Sequence, residues 1–221
     1  MEYAKQIALG FLHTPITENQ FSPITVDHPI FETALMMNPV TKELVNILEN
    51  EESLNNIISK MEEKIERATS YEELFLIVRK SYRFTFFKFI KDELTEKEFS
   101  RFLSYVWTIS ENPNQDTNVS LKEAVEYFRS ANKQYLMSEE ERTYLKSLPD
   151  TVTVYRGVAK GRNPDGLSWT DSYETAKWFA DRWHSNGEIR RGVVLKKDIL
   201  AYFNGRDENE LVIPTEKINF K

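Results

Sequence analysis

The sequence predicts an α+β protein in which a mainly helical N-terminal region precedes a small mixed β-sheet. Residues before about 147 repeat a helix-start pattern, whereas the residues after Pro149 are rich in β-branched and aromatic side chains. We therefore place a boundary between the two regions at 147–148. Residues 1–147 form the helical region and residues 148–221 form the strand-rich region.

The first 38 residues differ from the rest of the helical region. Pro15, Pro23 and Pro29 lie among β-branched residues, which predicts an extended arm with a short strand. From Pro39 onward the apolar spacing becomes helical, beginning with Val40, Leu44, Ile47 and Leu48. The first helix of this region is therefore expected to begin at Pro39.

Capping boxes mark the later helix starts. In this pattern a hydroxyl accepts the backbone N–H of the third residue on, and a carboxylate reaches back to the first. The pairs are Ser70 with Glu73, Thr95 with Glu98, Ser120 with Glu123 and Ser138 with Glu141. Four helices are expected at these points.

An aromatic run at residues 82–89 permits two interpretations. Aromatic and basic residues that alternate can stack on single-stranded bases. The steps of three and four residues from Phe75 through Phe86 to Phe89 instead favour a helix that faces the core. We prefer the second interpretation.

The strand-rich region is expected to contain one helix packed on a sheet. Strands are predicted at 151–156, 166–170, 192–196 and 210–214. The helix is predicted at about 172–184, and Asp171 with Glu174 supplies its start signal. Residues 185–191 are expected to form a basic loop.

Composition limits the class of protein. Residues 1–150 hold 17 Lys and Arg against 25 Asp and Glu, and residues 151–221 hold 12 against 10, which gives −8 and +2. The acidic front argues against a general nucleic-acid surface, and the basic back can attract a dinucleotide. With no cysteine, no long apolar run and no secretory signal, we expect a cytoplasmic protein without disulfides.

The histidines predict no metal site. His13, His28 and His184 lack the spacing that metal ligands need, and we expect surface or loop positions for them. No thiolate is present to compensate. The sequence therefore implies no metal.

Three polar signatures follow one another in the strand-rich region. Tyr155-Arg156-Gly157 ends the first predicted strand, Ser168-Trp169-Thr170 ends the second, and Glu208-Asn209-Glu210 precedes the last. Three strand ends could bring one arginine, one hydroxyl and two carboxylates together in one cleft. Each signature alone is also what a solvated turn or a surface salt bridge looks like, so their order carries the inference.

That order resembles the arginine, serine-threonine-serine, glutamate-x-glutamate pattern of mono-ADP-ribosyltransferases, over the 75 or so residues from Leu148 onward. The resemblance implies a split β-sandwich-like catalytic fold that binds NAD as its substrate. It implies NAD binding by Arg156 and its neighbours Tyr155 and Gly157, with the pyrophosphate on the guanidinium. Trp169 departs from the middle residue of the family pattern.

The resemblance also implies roles in catalysis. Ser168 and Thr170 would contact the cofactor, and Ser168 would fix the rotamer of a catalytic carboxylate. Glu210 would stabilise the oxocarbenium-like transition state, and Glu208 would orient or deprotonate the acceptor. Two carboxylates two residues apart on a strand point to one face, which suits this division.

A loop before the glutamates completes the implied site. In the family this loop carries an exposed aromatic residue that recognises the acceptor, and Tyr202 or Phe203 would be that residue here. A buried aromatic is an equally good interpretation of either.

We therefore expect an enzyme that transfers ADP-ribose from NAD to a protein, with arginine as one acceptor, or to a nucleic acid. NAD hydrolysis and a non-catalytic binding module with the same fold remain alternatives. The sequence has the style of phage or prophage proteins, so a toxin-like action in an infected or target host cell is one expectation. The resemblance leaves the helical region unexplained.

Overall fold

A computed structural model describes residues 1–110, 113–182, 186–205 and 207–220. Helices dominate the first two thirds of the chain and antiparallel strands the last third, so the α+β class is confirmed. The chain divides into two compact units, which we call the N-terminal unit, Met1–Glu93, and the C-terminal unit, Leu94–Lys221. The change of composition at 147–148 lies inside the C-terminal unit. Within the described ranges, no helix is both long and apolar enough to span a bilayer.

The N-terminal unit combines four helices with two small hairpins. Its elements are α1 Glu2–Leu12, β1 Thr17–Asn19, β2 Ser22–Asp27, β3 Leu35–Met37, β4 Leu44–Asn46, α2 Glu51–Arg67, α3 Tyr71–Ile77 and α4 Arg83–Ile90. β1 pairs with β2, and β3 pairs with β4, both antiparallel.

Two expectations for this unit were wrong. The supposed arm begins with helix α1, which buries Ala4, Ala8 and Leu12 at four-residue steps. The helix expected from Pro39 is the β3–β4 hairpin instead. Asn38 caps its turn by accepting from the backbone N–H of Val40 and Thr41, a local bond that outweighs apolar spacing.

The aromatic run packs inside the N-terminal unit, as the core interpretation predicted. Phe84, Phe86 and Phe87 are buried in α4, and the ring of Phe86 meets that of Phe75 edge to face. Phe89 differs from these three, because it is 45% exposed. Stacking on bases is therefore not available to most of these rings.

His28 lies in the loop after β2, so the expected loop position is confirmed, but its side chain is not at the surface. It is buried, and its Nδ1 accepts hydrogen bonds from the backbone N–H of Ile30 and Phe31. His13 is exposed as expected and pairs with Glu62. His184 lies outside the described residues.

The C-terminal unit begins with four helices that lead into the sheet. These are α5 Glu96–Ile109, α6 Leu121–Ser130, α7 Lys133–Leu136 and α8 Glu139–Ser147. The predicted starts at Thr95, Ser120 and Ser138 are confirmed as complete capping boxes. In α3 of the other unit, Ser70 likewise caps the helix start.

Six antiparallel strands form the sheet of this unit. They are β5 Thr151–Val158, β6 Ser168–Thr170, β7 Glu188–Leu195, β8 Ala201–Phe203, β9 Glu210–Val212 and β10 Asn219–Phe220, in the spatial order β10–β7–β5–β6–β9–β8. β5 and β7 pair along eight residues, whereas the described residues of β5 and β6 share a single register pair. The sheet therefore opens between β5 and β6.

The predicted strands are all present, but their surroundings differ from expectation. The expected basic loop at 185–191 is largely strand β7, and the turn-rich segment before Glu208 contains strand β8. Helix α9, Tyr173–Ala180, is capped by Ser172 rather than Asp171. Asp171 instead accepts a hydrogen bond from the hydroxyl of Tyr144 in α8.

Candidate functional site

One row of side chains crosses four strands of the sheet. Tyr155 of β5 lies opposite Thr170 of β6, Thr170 opposite Glu210 of β9, and Glu210 opposite Phe203 of β8. Directly opposed residues of antiparallel strands project to the same face. The second and third signatures of the sequence therefore meet at the pair Thr170–Glu210.

Glu210 is a buried carboxylate with a donor from a distant helix. Its side chain is 8% exposed. The indole Nε1–H of Trp107, in α5, donates to Glu210 Oε1 at 2.8 Å. A charged acceptor strengthens such a bond, which offsets part of the cost of burying the carboxylate.

Ser168 is held by the segment that follows α5. Asn114 Nδ2 lies 2.8 Å from Ser168 Oγ, and the Leu167 N–H donates to Asn114 Oδ1 at 2.6 Å. One amide side chain thus fixes both the Ser168 hydroxyl and the backbone that enters β6. Ser168 stands two residues before Thr170, so strand alternation gives it the face of Glu210.

Arg156 links the first signature to the second. Its Nη1 donates to the carbonyl of Ser168 at 2.6 Å, and its Nε donates to the carbonyl of Pro164 at 3.0 Å. Burial lowers the pKa of the guanidinium from its usual value, and the Glu210 carboxylate raises it. The two charged groups of the site therefore interact across β6.

The strand register nevertheless directs the Cα–Cβ bonds of Arg156 and Glu210 to opposite faces of the sheet. Tyr155, not Arg156, is opposite Thr170, so the Cα–Cβ bond of Arg156 points to the other face of β5. A ligand that contacts both charges must therefore lie at the opening between β5 and β6, where the Arg156 guanidinium reaches the Ser168 carbonyl.

A second arginine lies beside Arg156. Arg190 of β7 is its direct cross-strand partner, and Arg190 Nη1 is 3.5 Å from Asp165 Oδ1. The Arg190 charge also lowers the pKa of Arg156. Two adjacent guanidinium groups place positive charge at this end of β5, and the carboxylates of Asp165 and Glu210 offset part of it.

The neighbours of Arg156 have packing roles in this structure. The ring of Tyr155 meets Tyr173 of α9 edge to face. A Cβ at Gly157 would lie 1.8 Å from the carbonyl oxygen of Ala176, so only glycine allows α9 to approach β5 this closely. Contact of Gly157 with a cofactor on that face would require α9 to move.

Glu208 does not share a strand with Glu210, which corrects the alternation argument. β9 begins at Glu210, and Asn209 has a positive φ of 47°. A left-handed residue breaks the two-residue alternation of a strand. The direction of the Glu208 side chain is thus set by a turn, and Glu208 is partly exposed.

The structure decides between the two interpretations of Tyr202 and Phe203, and it favours buried aromatics over an exposed residue that recognises the acceptor. Each side chain is only 3% exposed. Tyr202 stacks on Tyr144, and its hydroxyl donates to Asn209 Oδ1 at 2.8 Å. Burial raises the pKa of Tyr202 to about 12, so the hydroxyl keeps its proton at neutral pH. Phe203 packs against Phe128 of α6.

Three residues that hold the site were missed from the sequence: Trp107, Asn114 and Arg190. Trp107 falls on the apolar face of an amphipathic helix, where a tryptophan is normally assigned to the core. Asn114 lies in a polar loop, and Arg190 was assigned to a loop as well. Their bonds span 103 and 54 residues for Trp107 and Asn114, so no local pattern could reveal them.

The chain matches no protein-family model, no curated protein and no solved structure. In the part of the chain that the structure describes, no cluster of three or more His, Asp or Glu side chains could hold a metal ion. A functional assignment therefore depends on the contacts described above.

Proposed function

We propose that the protein is a mono-ADP-ribosyltransferase that moves ADP-ribose from NAD to a macromolecular acceptor and releases nicotinamide. The observation that carries this proposal is the buried Glu210 carboxylate. It is paired with Thr170 across β6 and β9, bonded to Trp107, and within electrostatic reach of Arg156. The proposal includes an ADP-ribosyltransferase fold for the sheet and a cytoplasmic site of action.

The chemistry needs a negative charge fixed at one position. The bond between the ribose anomeric carbon and the nicotinamide nitrogen breaks, and its electron pair leaves with nicotinamide. Positive charge then develops on the ribose ring, and the acceptor attacks the anomeric carbon and loses its proton. A carboxylate already held in place stabilises this charge without reorganising. Glu210 takes this role, and Ser168 orients it or the ribose.

Arg156 suits the diphosphate of NAD. A guanidinium is planar, remains charged and can bond a phosphate with two donors. Arg156 uses Nη1 and Nε on backbone carbonyls in this structure, and those bonds hold the group at the opening beside Ser168. Arg190 adds positive charge at the adjacent position of β7.

NAD hydrolysis is a second candidate, and the acceptor-side residues favour it. The residues assigned to NAD lie on the adjacent strands β5, β6 and β9. The residues assigned to the acceptor fit their expected roles less well than those assigned to NAD. Tyr202 and Phe203 are buried, and Glu208 lies before β9 rather than in it. Water as the acceptor needs none of these three side chains.

Incubation with NAD labelled in the adenylate part separates the candidates. The purified chain is given labelled NAD alone, or with a cell lysate, and both released nicotinamide and acid-precipitable label are measured. Transfer predicts that label enters protein or nucleic acid in the lysate, and hydrolysis predicts release of nicotinamide with no incorporation. Binding of NAD without any release of nicotinamide would point to a non-catalytic binding module and contradict the proposal.

Glu208→Gln refines the result if transfer is found. Removing that charge is expected to reduce transfer to an arginine acceptor while it spares nicotinamide release in water. Equal loss of both activities would remove the acceptor role of Glu208. Glu216→Gln, at an exposed site in the same unit, is the matched control.

A further inference from the structure

Trp107 contacts Glu210 from 103 residues away along the chain. It lies in the last two turns of α5, with no exposed surface, and its indole Nε1 is bonded to Glu210 Oε1 at 2.8 Å. Ordinary core packing explains a buried indole ring. It does not explain why the indole nitrogen is directed at a carboxylate.

The ring is held in this orientation by aromatic neighbours. Trp107 meets Phe128 edge to face at 5.0 Å between centroids, and Phe128 meets Phe203 at 6.2 Å. Phe203 is in turn the cross-strand partner of Glu210. Trp107 and Glu210 are therefore linked twice, once by their hydrogen bond and once through Phe128 and Phe203. A rotation of either side chain would disturb the other.

The chemistry of the indole limits what it can do there. An indole N–H donates a hydrogen bond but does not titrate, so it cannot supply or remove the proton of a reaction. A donor directed at a carboxylate favours its ionised form, whereas burial disfavours it. The bond therefore opposes the tendency of a buried glutamate to become protonated.

We propose that Trp107 is a positioning residue for Glu210, which keeps the carboxylate ionised and in one rotamer, and that α5 is therefore part of the working site. The catalytic consequence rests on the proposed function. The effect on the ionisation of Glu210 does not, and it can be measured without NAD.

Trp107→Phe tests the proposal because it keeps an aromatic ring and removes the donor. Carbon-13 NMR of labelled glutamate carboxyls, with Glu210 assigned from the Glu210→Gln variant, follows the titration in the absence of NAD. The titration midpoint of Glu210 is expected to rise by about one pH unit. Phe128→Leu is the matched control, since it weakens the aromatic packing around Trp107 and leaves the indole donor in place. It is expected to lower thermal stability and to shift the titration midpoint of Glu210 much less.

Kinetics provide the second measurement. Trp107→Phe is expected to lower kcat for nicotinamide release about 10-fold, with KM for NAD changed less than about 2-fold, because the lost bond acts on the reacting centre. The acid limb of the pH–rate profile should move to higher pH together with the Glu210 titration.

The outcomes separate this proposal from the proposed function. An unchanged Glu210 titration in Trp107→Phe overturns the proposal, whatever the activity. A shifted titration in a protein whose wild type releases no nicotinamide supports the positioning role and contradicts the proposed function. If Trp107→Phe does not fold, the indole Nε1–H resonance of Trp107 in the wild type is the measure: it must move as Glu210 titrates, and a resonance insensitive to pH overturns the proposal.

Discussion

The buried His28 of the N-terminal unit and the buried Glu210 of the C-terminal unit are bonded in different ways. In the N-terminal unit, His28 accepts from the N–H groups of Ile30 and Phe31, two and three residues further on. In the C-terminal unit, Glu210 and Ser168 are bonded by side chains 103 and 54 residues away. The bonds to His28 hold a turn, whereas the bonds from Trp107 and Asn114 hold Glu210 and Ser168 in the positions that the proposed function needs. Burial alone therefore does not identify a site, because His28 and Glu210 are both buried and only Glu210 belongs to the proposed site.

The largest effect is expected from cutting the C-terminal unit at the change of composition. Residues 148–221 lack Trp107 and Phe128, which cover Glu210 and Phe203, so this fragment would expose apolar surface that it is too small to rebury. We expect it to be unfolded, and we expect residues 94–221 to fold. Circular dichroism and amide dispersion of the two fragments measure this, and a well-folded 148–221 would show that the helices α5–α8 are dispensable for the sheet.

Arg156→Lys is expected to have the next largest effect, which is a rise in the KM for NAD. Lysine keeps the charge but lacks the planar fork that bonds the carbonyls of Pro164 and Ser168 and would bond a diphosphate. We expect KM for NAD to rise about 10- to 100-fold, since a lost charged hydrogen bond is worth roughly 1.5–3 kcal/mol. Arg162→Lys, at an exposed position of the following loop, is the control. An unchanged KM in Arg156→Lys would separate the guanidinium from NAD.

The sequence predicted the strands and most helix starts, because β-rich runs and capping boxes are local signals. It also placed Thr170 and Glu210 on strands, and the pairing of those strands is seen only in the structure. It failed where tertiary contacts override spacing. Helix α1 occupies part of the expected extended arm, and the β3–β4 hairpin occupies a segment expected to be helical. For Tyr202 and Phe203 the sequence left exposed and buried positions equally open. The positive φ of Asn209, which removes Glu208 from the strand, has no local pattern that distinguishes it from an ordinary loop asparagine.

The buried histidine of the N-terminal unit predicts a pH dependence of stability. Burial lowers the pKa of His28, so below its ordinary pKa of 6.5 the unfolded chain binds a proton that the folded chain resists. The contribution of neutral, buried His28 to the free energy of unfolding is complete above pH 6.5. As the pH falls below that value, the free energy of unfolding decreases by up to about 1.4 kcal/mol per pH unit.

His28→Asn isolates this contribution. Asparagine can accept the same local N–H bonds and does not titrate in this range. Urea unfolding between pH 7.5 and 5.5 is expected to show a shallower loss of stability in His28→Asn than in the wild type. His13→Asn, at an exposed histidine, should retain the wild-type slope. Equal slopes in all three proteins would contradict the structural role of His28.

The smallest effect is expected on the free energy of unfolding, from substitutions of Asn209 in the turn between Glu208 and Glu210. Asn209→Gly and Asn209→Ala both remove the bond from the Tyr202 hydroxyl, but only alanine is strained at a φ of 47°. Alanine should therefore be less stable than glycine by about 1 kcal/mol. The free energies of unfolding of the two variants test this, and a more stable alanine variant would contradict the left-handed conformation.

The most direct test of the central claim is the rate of nicotinamide release by the wild type, Glu210→Gln and Glu216→Gln, measured side by side in NAD. Glu210→Gln keeps the shape of the side chain and removes the charge that the transition state of the proposed reaction requires. We predict a loss of about 100-fold or more for this variant, in transfer and in hydrolysis alike, and wild-type rates for Glu216→Gln. Equal rates in all three proteins would contradict a catalytic role for the buried carboxylate.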